Sequence, residues 1–231
     1  MRKIAASSIF VFAGSSTVCL ALSVGAGALM SELSRGWALR SELSLLAFAL
    51  VFYSLSLLVF RFRLSRFRIE GRIGEDDEAQ AHVYQMFYLL VFGPLIRTGV
   101  IPVPMTRLFY KALGAQIAEN SYTAGVIYDA HLVKIGSNCL LGERTLLTPH
   151  QMEGSTLAFY PIEIGDSVTI GAHAVILPDV RIEDGAMVAA GSVVKKGTRT
   201  SRNEIWDGVP AKKSGMVQAE VLLKEPLVGL S

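Results

Sequence analysis

One histidine stands where a regular repeat in the sequence is interrupted. Between positions 135 and 194 an aliphatic residue returns at every sixth position, except between 147 and 164. His150 lies near the start of this gap, and Glu153 follows it by three positions. An imidazole accepts protons near neutral pH, and a nearby carboxylate can orient the ring or contact the molecule that loses the proton. We predict that His150 is a general base, that Glu153 serves it in one of these two ways, and that residues 152–160 form a wall of the site.

The repeat itself predicts a solenoid of short strands. A period of six fits neither an α-helix nor a coiled-coil heptad. It fits triangular coils in which each aliphatic side chain points inward and a following glycine or small residue allows the corner. An irregular β protein with accidental spacing is the alternative, and it does not account for so long a run. The positions in register are Ile117, Ile135, Leu141, Leu147, Ile164, Ile170, Ile176, Ile182, Val188 and Val194.

The hexads and the segment "IWDGVPAKK" (205–213) together resemble the left-handed β-helix, hexapeptide-repeat acyltransferases over residues 115–213. "YDAHLVKIG" and "PIEIGDSVTIGAHAVILPDV" are similar to galactoside and maltose O-acetyltransferases. "HQME" and "EIWDGVPA" are similar to the terminal domains of polylysine-type peptide synthetases. The resemblance implies a mainly β fold with a left-handed parallel β-helix, acetyl-CoA as acyl donor, and a homotrimer. Each site would be shared between neighbouring subunits, with the 152–160 loop reaching over the neighbour.

The resemblance also implies roles for individual residues. His150 matches the catalytic base, Asp129 matches an acidic residue that contacts the acceptor, and Ala172 matches the position whose backbone N–H faces the thioester oxygen. The sugar acetyltransferases carry an asparagine eight positions before this aspartate, where the present chain has Ser121. This departure leaves the acceptor open. The implied contacts of CoA, whose phosphates suit lysine side chains, are Ala190, Lys195, Lys196 and Lys212.

Two long apolar runs precede the repeat. The chain is 51% hydrophobic with a mean hydropathy of +0.42, which is too apolar for an ordinary soluble domain of 231 residues. Residues 4–31 and 43–60 contain no charged side chain and are long enough to cross a bilayer. The alternatives are a cleaved signal peptide for the first run, or two buried core helices. Arginines 61, 63, 66, 68 and 72, with Arg2 and Lys3, predict a multi-pass hairpin in the inner cell membrane and a cytoplasmic catalytic domain.

The predicted organisation has four parts. Residues 1–62 form the transmembrane hairpin, 63–114 a basic and aromatic connector, 115–200 the left-handed β-helix acyltransferase domain, and 201–231 the closing motif and a tail with a short helix. Within the connector we predict a helix over 75–92 that ends before Gly93-Pro94. Its aromatic portion, 84–92, is too short to span a membrane. It either lies in the interface or covers one end of the next domain.

These features predict a membrane-anchored, CoA-dependent O-acyltransferase, with acetyl as the transferred group. The acceptor would be a hydroxyl of a membrane-associated or envelope glycan, or of a lipid-linked molecule. An amine acceptor, a longer acyl chain and a non-catalytic scaffold remain alternatives. The same fold occurs in γ-class carbonic anhydrases, whose zinc needs two histidines five residues apart, a pair missing here. We expect no metal and no nucleic-acid partner, because the net charge is only +2 and the two cysteines lie in unrelated segments.

Overall fold

The computed structural model describes residues 5–66 and 70–217. The predicted contributions of Arg2, Lys3 and Arg68, and the tail after Val217, lie outside these ranges. The chain divides into two compact units. The first comprises Met1–Ile101 together with Met152–Phe159, and the second comprises Pro102–Gln151 together with Tyr160–Ser231. The segment that interrupts the repeat therefore belongs to the first unit, although the chain on both sides of it belongs to the second.

The first unit begins with two long apolar helices, α1 (Ala6–Leu33) and α2 (Arg40–Arg66). Both are long and apolar enough to cross a membrane by length and composition. α1 buries a row of small residues, including Cys19, Ser23 and Gly27, which recur every fourth position. Small side chains at this spacing let two helices approach closely. A Cβ added at Gly27 would lie 3.2 Å from the carbonyl oxygen of Ser44 in α2, so the two helices leave no room for a larger residue there.

The connector continues with β1 (Gly71–Arg72), α3 (Glu75–Met86), a π-helical turn over Phe87–Phe92, and α4 (Gly93–Arg97). The prediction that the helix ends before Gly93-Pro94 is wrong. Pro94 lies in the first turn of α4, where its missing N–H matters least. The wider π turn before it lets the chain continue as helix through Pro94.

The aromatic side chains of this segment are buried within the first unit. The ring of Phe60 in α2 lies 5.4 Å from that of Tyr84, 6.3 Å from that of Tyr88 and 5.4 Å from that of Phe92, measured between centroids. Phe87 contacts Phe12 of α1 edge-on at 5.0 Å. Offset and edge-on contacts of this kind stabilise beyond the area that they bury. The aromatic run is therefore the core that joins α3 to both apolar helices.

The second unit is a parallel β-helix preceded by α5 (Val103–Leu113). The remaining strands are β2 (Gln116–Ile117), β3 (Tyr122–Thr123), β4 (Val126–Ile127), β5 (Val133–Ile135), β6 (Leu140–Leu141), β7 (Leu146–Leu147), β8 (His150–Glu153), β9 (Thr156–Phe159), β10 (Ile162–Ile164), β11 (Thr169–Ile170), β12 (Val175–Ile176), β13 (Arg181–Ile182), β14 (Met187–Val188), β15 (Val193–Val194), β16 (Glu204–Gly208) and β17 (Ala211–Met216). The first sheet contains β2, β5, β10 and β13. The second contains β3, β6, β11, β14, β16 and β17, and the third contains β4, β7, β12 and β15.

The aliphatic positions predicted to point inward do form the core. In the first sheet Ile117, Ile135, Ile164 and Ile182 are directly in register, and each is at most 5% exposed. The other two sheets stack their aliphatic positions in the same way. All pairings between coils are parallel, as a solenoid requires. The hexad pattern thus predicts the parallel β-helix correctly.

The glycines that follow the aliphatic positions are needed for a different reason from the one expected. They do not have positive φ. A Cβ added at Gly142 would lie 2.6 Å from the backbone nitrogen of Ala172, and one at Gly171 would lie 2.4 Å from that of Ala190. The left-handed conformation occurs two residues later, for example at Arg144 (φ 57°). Glycine is therefore required by the close approach of successive coils rather than by the turn itself.

Both ends of the β-helix are closed. At the start, the buried hydroxyl of Tyr110 in α5 donates to the carbonyl of Gly125 (3.1 Å) and accepts from the N–H of Ile127 (3.2 Å). Burial raises the pKa of Tyr110 to about 12. At the end, the motif "IWDGVPAKK" forms most of the antiparallel β16–β17 hairpin. The carboxylate of Glu204 accepts from the N–H of Ser201 (2.8 Å), pairs with Lys213 (2.9 Å), and has its pKa lowered to about 2, chiefly by the Ser201 N–H.

We predict that Gly27→Leu destabilises the α1–α2 pair while Gly25→Leu does not. A leucine at Gly27 would overlap α2 and cost about 1–3 kcal/mol. No atom lies within 4 Å of a Cβ added at Gly25, so leucine there is accommodated. Thermal unfolding of the full chain in detergent micelles measures both effects. Equal midpoints for the two variants would contradict the close packing at Gly27.

Candidate functional site

The candidate site residues are distributed over two edges of the β-helix. The histidine edge is formed by the residues that connect the third sheet to the first, and it carries Asp129, His150, Lys195 and Lys196. The alanine edge connects the second sheet to the third, and it carries Ala172 and Ala190. Glu153 lies in the β8–β9 hairpin of the first unit, and Lys212 lies in β17.

On the histidine edge, Asp129 and His150 are in direct contact. One carboxylate oxygen of Asp129 meets Nδ1 of His150. The Asp129 side chain is only 4% exposed, whereas that of His150 is 32% exposed. The ring of Tyr128 lies beside the imidazole, with 5.9 Å between centroids. The arrangement is a buried acid that holds a histidine whose ring still reaches solvent.

Local backbone geometry puts the acid in this position. Asp129 adopts the left-handed conformation (φ 46°), which aspartate tolerates better than most residues, and a short 3₁₀ turn, Ala130–Leu132, follows it. Asp129 comes two residues after Ile127, and His150 comes three residues after Leu147. Ile127 and Leu147 are paired in the third sheet, so the two chain segments leave that sheet side by side.

The contact raises the pKa of the histidine and sets its tautomer. Burial lowers the pKa of His150, but the hydrogen bond and the negative charge of Asp129 raise it further, so that the net pKa is raised. An ionised carboxylate only accepts hydrogen bonds, so Nδ1 of His150 carries a proton. In the neutral ring the lone pair is then on Nε2, which can accept a proton from a substrate.

Sequence reasoning did not assign the contact between Asp129 and the imidazole. It assigned Asp129 to the acceptor and offered Glu153 as a partner for His150. In the first unit Glu153 pairs instead with Arg72, with 2.8 Å between Nε and Oε2. The structure shows why Asp129 and His150 meet, because they follow the paired positions Ile127 and Leu147 at almost the same distance, a pairing that the hexad spacing does not reveal.

The alanine edge presents a backbone donor. Within residues 5–66 and 70–217, no atom of the chain accepts the N–H of Ala172. On the edge between the first and second sheets the equivalent donors are bonded, because Asp166 accepts from the N–H of Ser137 (2.6 Å) and Asp184 accepts from that of Asp166 (2.9 Å). Alanine has no side chain that could serve the coil before it in this way. Because the next coil has Ala190 at the position where the other edge has Asp184, the N–H of Ala172 is available to a ligand.

The remaining predicted residues are in different settings. The ammonium of Lys196 lies 3.9 Å from the ring centroid of Tyr160, where the chain re-enters the β-helix. Lys195 is exposed beside it, and Lys212 is opposite Asp207 in the terminal hairpin. Ser121 is buried in a corner and bridges two coils, since it donates to the carbonyl of Gly136 (2.6 Å) and accepts from the N–H of Cys139 (3.0 Å).

Comparison with known proteins supports the resemblance. Residues 161–196 match the family model described as bacterial transferase hexapeptide (six repeats). The chain is 34% identical over 93 residues to galactoside O-acetyltransferase of Escherichia coli, covering 37% of this chain and 45% of that protein. It is 36% identical over 142 residues to mitochondrial γ-carbonic anhydrase 2 of Arabidopsis thaliana, covering 52% of this chain and 49% of that protein. The predicted similarity to hexapeptide-repeat transferases is confirmed.

A solved maltose O-acetyltransferase from Clostridium difficile matches 57% of this chain and 85% of its own, with 19% identity and a TM-score of 0.43. The present chain spans about half the length, or less, of the curated relatives it matches. Among the described residues no three His, Cys, Asp or Glu side chains are grouped so that they could hold a metal ion.

We predict that Asp129→Asn lowers the pKa of His150. In the wild type this pKa lies above the ordinary value of 6.5. Without the carboxylate, the effect of burial is no longer offset, and the pKa falls below that of the wild type. Titration of the labelled histidine ring by NMR, assigned with His150→Gln, measures the change.

The matched control is Asp179→Asn, because Asp179 lies on the same edge but pairs with Arg199 at 2.6 Å. An equal effect of both variants would mean that the contact with Asp129 does not set the pKa. The sign also applies to stability. Since the folded-state pKa is raised, the pair stabilises the fold below about pH 6.5, and this contribution disappears as the pH rises through the folded-state pKa.

Proposed function

We propose that the protein is a membrane-anchored acyltransferase that moves an acetyl group from CoA to a hydroxyl. The observation that carries the proposal is the contact between Asp129 and His150 on the histidine edge. A buried carboxylate that holds a partly exposed imidazole is the arrangement needed to remove a proton from a hydroxyl. The similarity to galactoside O-acetyltransferase supports acetyl transfer to oxygen as the reaction.

In the proposed reaction Nε2 of His150 takes the proton of the acceptor hydroxyl as its oxygen attacks the thioester carbonyl. Asp129 stabilises the imidazolium that forms. The tetrahedral oxyanion is met by the N–H of Ala172, which has no acceptor among the described parts of the chain. When the intermediate collapses, the C–S bond breaks and the imidazolium returns its proton to the CoA thiolate. Ala190, Lys195, Lys196 and Lys212 are the proposed CoA contacts, the lysines binding its phosphates.

The proposed assembly is a homotrimer of left-handed β-helices with the third sheet facing the axis. The outward positions of the third sheet are all apolar: Val126, Leu146, Val175 and Val193. The corresponding positions of the first sheet are mostly charged, as at Lys134, Glu163 and Arg181. An apolar face between two site-bearing edges is suited to contact with further copies. Around a threefold axis, the alanine edge of one copy would then meet the histidine edge of the next.

The proposed anchor is the α1–α2 hairpin in the inner membrane. Only 11% of the most apolar 18-residue stretch of each helix is buried within the chain, which does not fit a pair of core helices. Arg61, Arg63 and Arg66 follow the apolar part of α2 and favour a cytoplasmic location for that end. In the four-part organisation proposed, the catalytic β-helix (115–200) is therefore cytoplasmic, and the connector (63–114) joins it to the hairpin (1–62).

The proposed acceptor is a membrane-associated or envelope glycan, or a lipid-linked molecule. A diffusible substrate has no need of an anchored enzyme, whereas a substrate held at the bilayer is reached more readily by one. The buried Ser121 supports an acceptor other than those of the sugar acetyltransferases. In these enzymes an asparagine stands at this position, whereas here the serine hydroxyl bonds backbone groups of its own coil and of the next coil.

We predict that His150→Ala abolishes consumption of acetyl-CoA by the full chain in detergent, with a membrane lipid-and-glycan extract as acceptor. Loss of a general base lowers the rate by about 10²- to 10⁴-fold. His131→Ala is the control, because His131 lies two residues from Asp129 and has no assigned role. CoA release is followed with a thiol reagent. Equal rates for wild type and His150→Ala would remove His150 from the mechanism.

We predict that Val175→Asp breaks the trimer, because it places a charge in the proposed interface on the third sheet. Thr169→Asp is the matched control, since Thr169 points outward from the second sheet one strand earlier. Light scattering of the detergent-solubilised chain gives the assembled mass. A trimeric Val175→Asp variant, or a monomeric Thr169→Asp variant, would contradict the assignment of the interface.

A further inference from the structure

The strand β8 begins at His150 and ends at Glu153, the residue that pairs with Arg72. We propose that Arg72 is a positioning residue for the transferase reaction, because it holds the β8–β9 hairpin that continues from the catalytic histidine. The proposal rests on the proposed function. It assigns Arg72 and Glu153 to the control of acceptor access, not to proton transfer.

Backbone pairing attaches the hairpin to the connector. β1 pairs antiparallel with β9, with Gly71 opposite Phe159 and Arg72 opposite Ala158. The N–H of Ile73 donates to the carbonyl of Leu157 at 3.0 Å. β1 contains only two residues, so this pairing alone is short. Such a short pairing needs side-chain contacts to hold the hairpin in one place.

Side-chain contacts supply this support at both ends of the hairpin. At its base Phe159 is completely buried and meets the ring of Tyr84 edge-on at 6.4 Å. At its tip Ser155 and Thr156 line a small cavity of about 20 Å³ together with His82 of α3. On β8, the ion pair between Arg72 and Glu153 anchors the strand to the connector, and the carboxylate of Glu153 is only 16% exposed. Arg72 thus supports the strand that carries the histidine.

Arg72 lies close in sequence to the end of α2, and this links the hairpin to the proposed membrane anchor. Arg72 follows the last residue of α2 by six positions, so the hairpin is attached directly after the proposed membrane anchor. The chain leaves the second unit after Gln151 and returns to it at Tyr160. The segment that continues from the catalytic base is therefore held by the anchor's own connector. We expect this attachment to fix the segment for acceptors presented at the membrane.

Loss of this ion pair should change substrate kinetics, whereas loss of a purely structural ion pair would change only stability. Arg72 is 66% exposed, and an ion pair with so exposed a partner contributes little to global stability. Its loss should free β8 locally while the two units remain folded. Neither residue is among the proposed contacts of acetyl-CoA. The acceptor KM should therefore change while the acetyl-CoA KM and the unfolding midpoint do not.

The test compares Arg72→Ala, Arg72→Lys, Glu153→Gln and the exchanged pair Arg72→Glu with Glu153→Arg. The full chain is placed in nanodiscs, with acetyl-CoA and the membrane extract as substrates. Arg72→Ala and Glu153→Gln should raise the acceptor KM about fivefold, and the exchanged pair should restore most of it. Arg72→Lys should behave nearly as the wild type. Hydrogen exchange over residues 151–159 should quicken in the two impaired variants.

Lys134→Ala is the control, because it also removes the exposed basic partner of an ion pair, here with Glu163 (3.1 Å) on the first sheet. Unchanged exchange over 151–159 in Arg72→Ala would overturn the inference, as would a rise in acceptor KM of equal size in Lys134→Ala. An equal loss of activity towards both substrates with a lower unfolding midpoint would also overturn it. A wild type that consumes no acetyl-CoA overturns the proposed function instead. The exchange measurement then still decides whether Arg72 holds the hairpin.

Discussion

The structure depends on the close stacking of successive coils. Strands of two or three residues provide few hydrogen bonds each, so the coils are held together by the aliphatic side chains stacked inside and by the register that these side chains set. Stacking this tight excludes a Cβ at Gly142 and Gly171. It also fixes where each edge residue lies. Asp129 meets His150 because Ile127 and Leu147 are paired one coil apart, not because the two residues are near in sequence.

The β-helix was predictable because every hexad places an aliphatic residue at the same inward position. The contact between Asp129 and His150 was not predictable, because the first coil departs from the six-residue spacing. Its passage from Thr123 to Ile127 is two residues short, and the following corner is lengthened by the 3₁₀ turn, Ala130–Leu132. The two irregularities cancel over the coil, so the spacing from Ile117 to Ile135 conceals them. The same limit applies at Pro94, where the π turn that precedes it has no local sequence signal.

The interruption of the repeat was visible in the sequence, but the strand that pairs with the interrupting segment, β1, was not. A break in the hexads predicts an excursion, and the structure has one in the β8–β9 hairpin. The strand that receives the hairpin is only Gly71–Arg72, too short to show any alternation of polar and apolar residues. Proximity in sequence predicts that Glu153 serves the histidine. Its carboxylate pairs with an arginine 81 positions away.

The separation of the two edges constrains any mechanism. The proposed base, His150, is on the histidine edge and the backbone N–H of Ala172 is on the alanine edge, with one strand of the third sheet between them. Five extended residues span roughly 15 Å, whereas a base and an oxyanion donor must both lie about 3 Å from the reacting atoms. One chain cannot bring His150 and Ala172 to one thioester. Either the N–H of Ala172 serves another purpose, or two copies complete each site. The proposed assembly takes the second course, because the apolar outward face of the third sheet lies between these two edges.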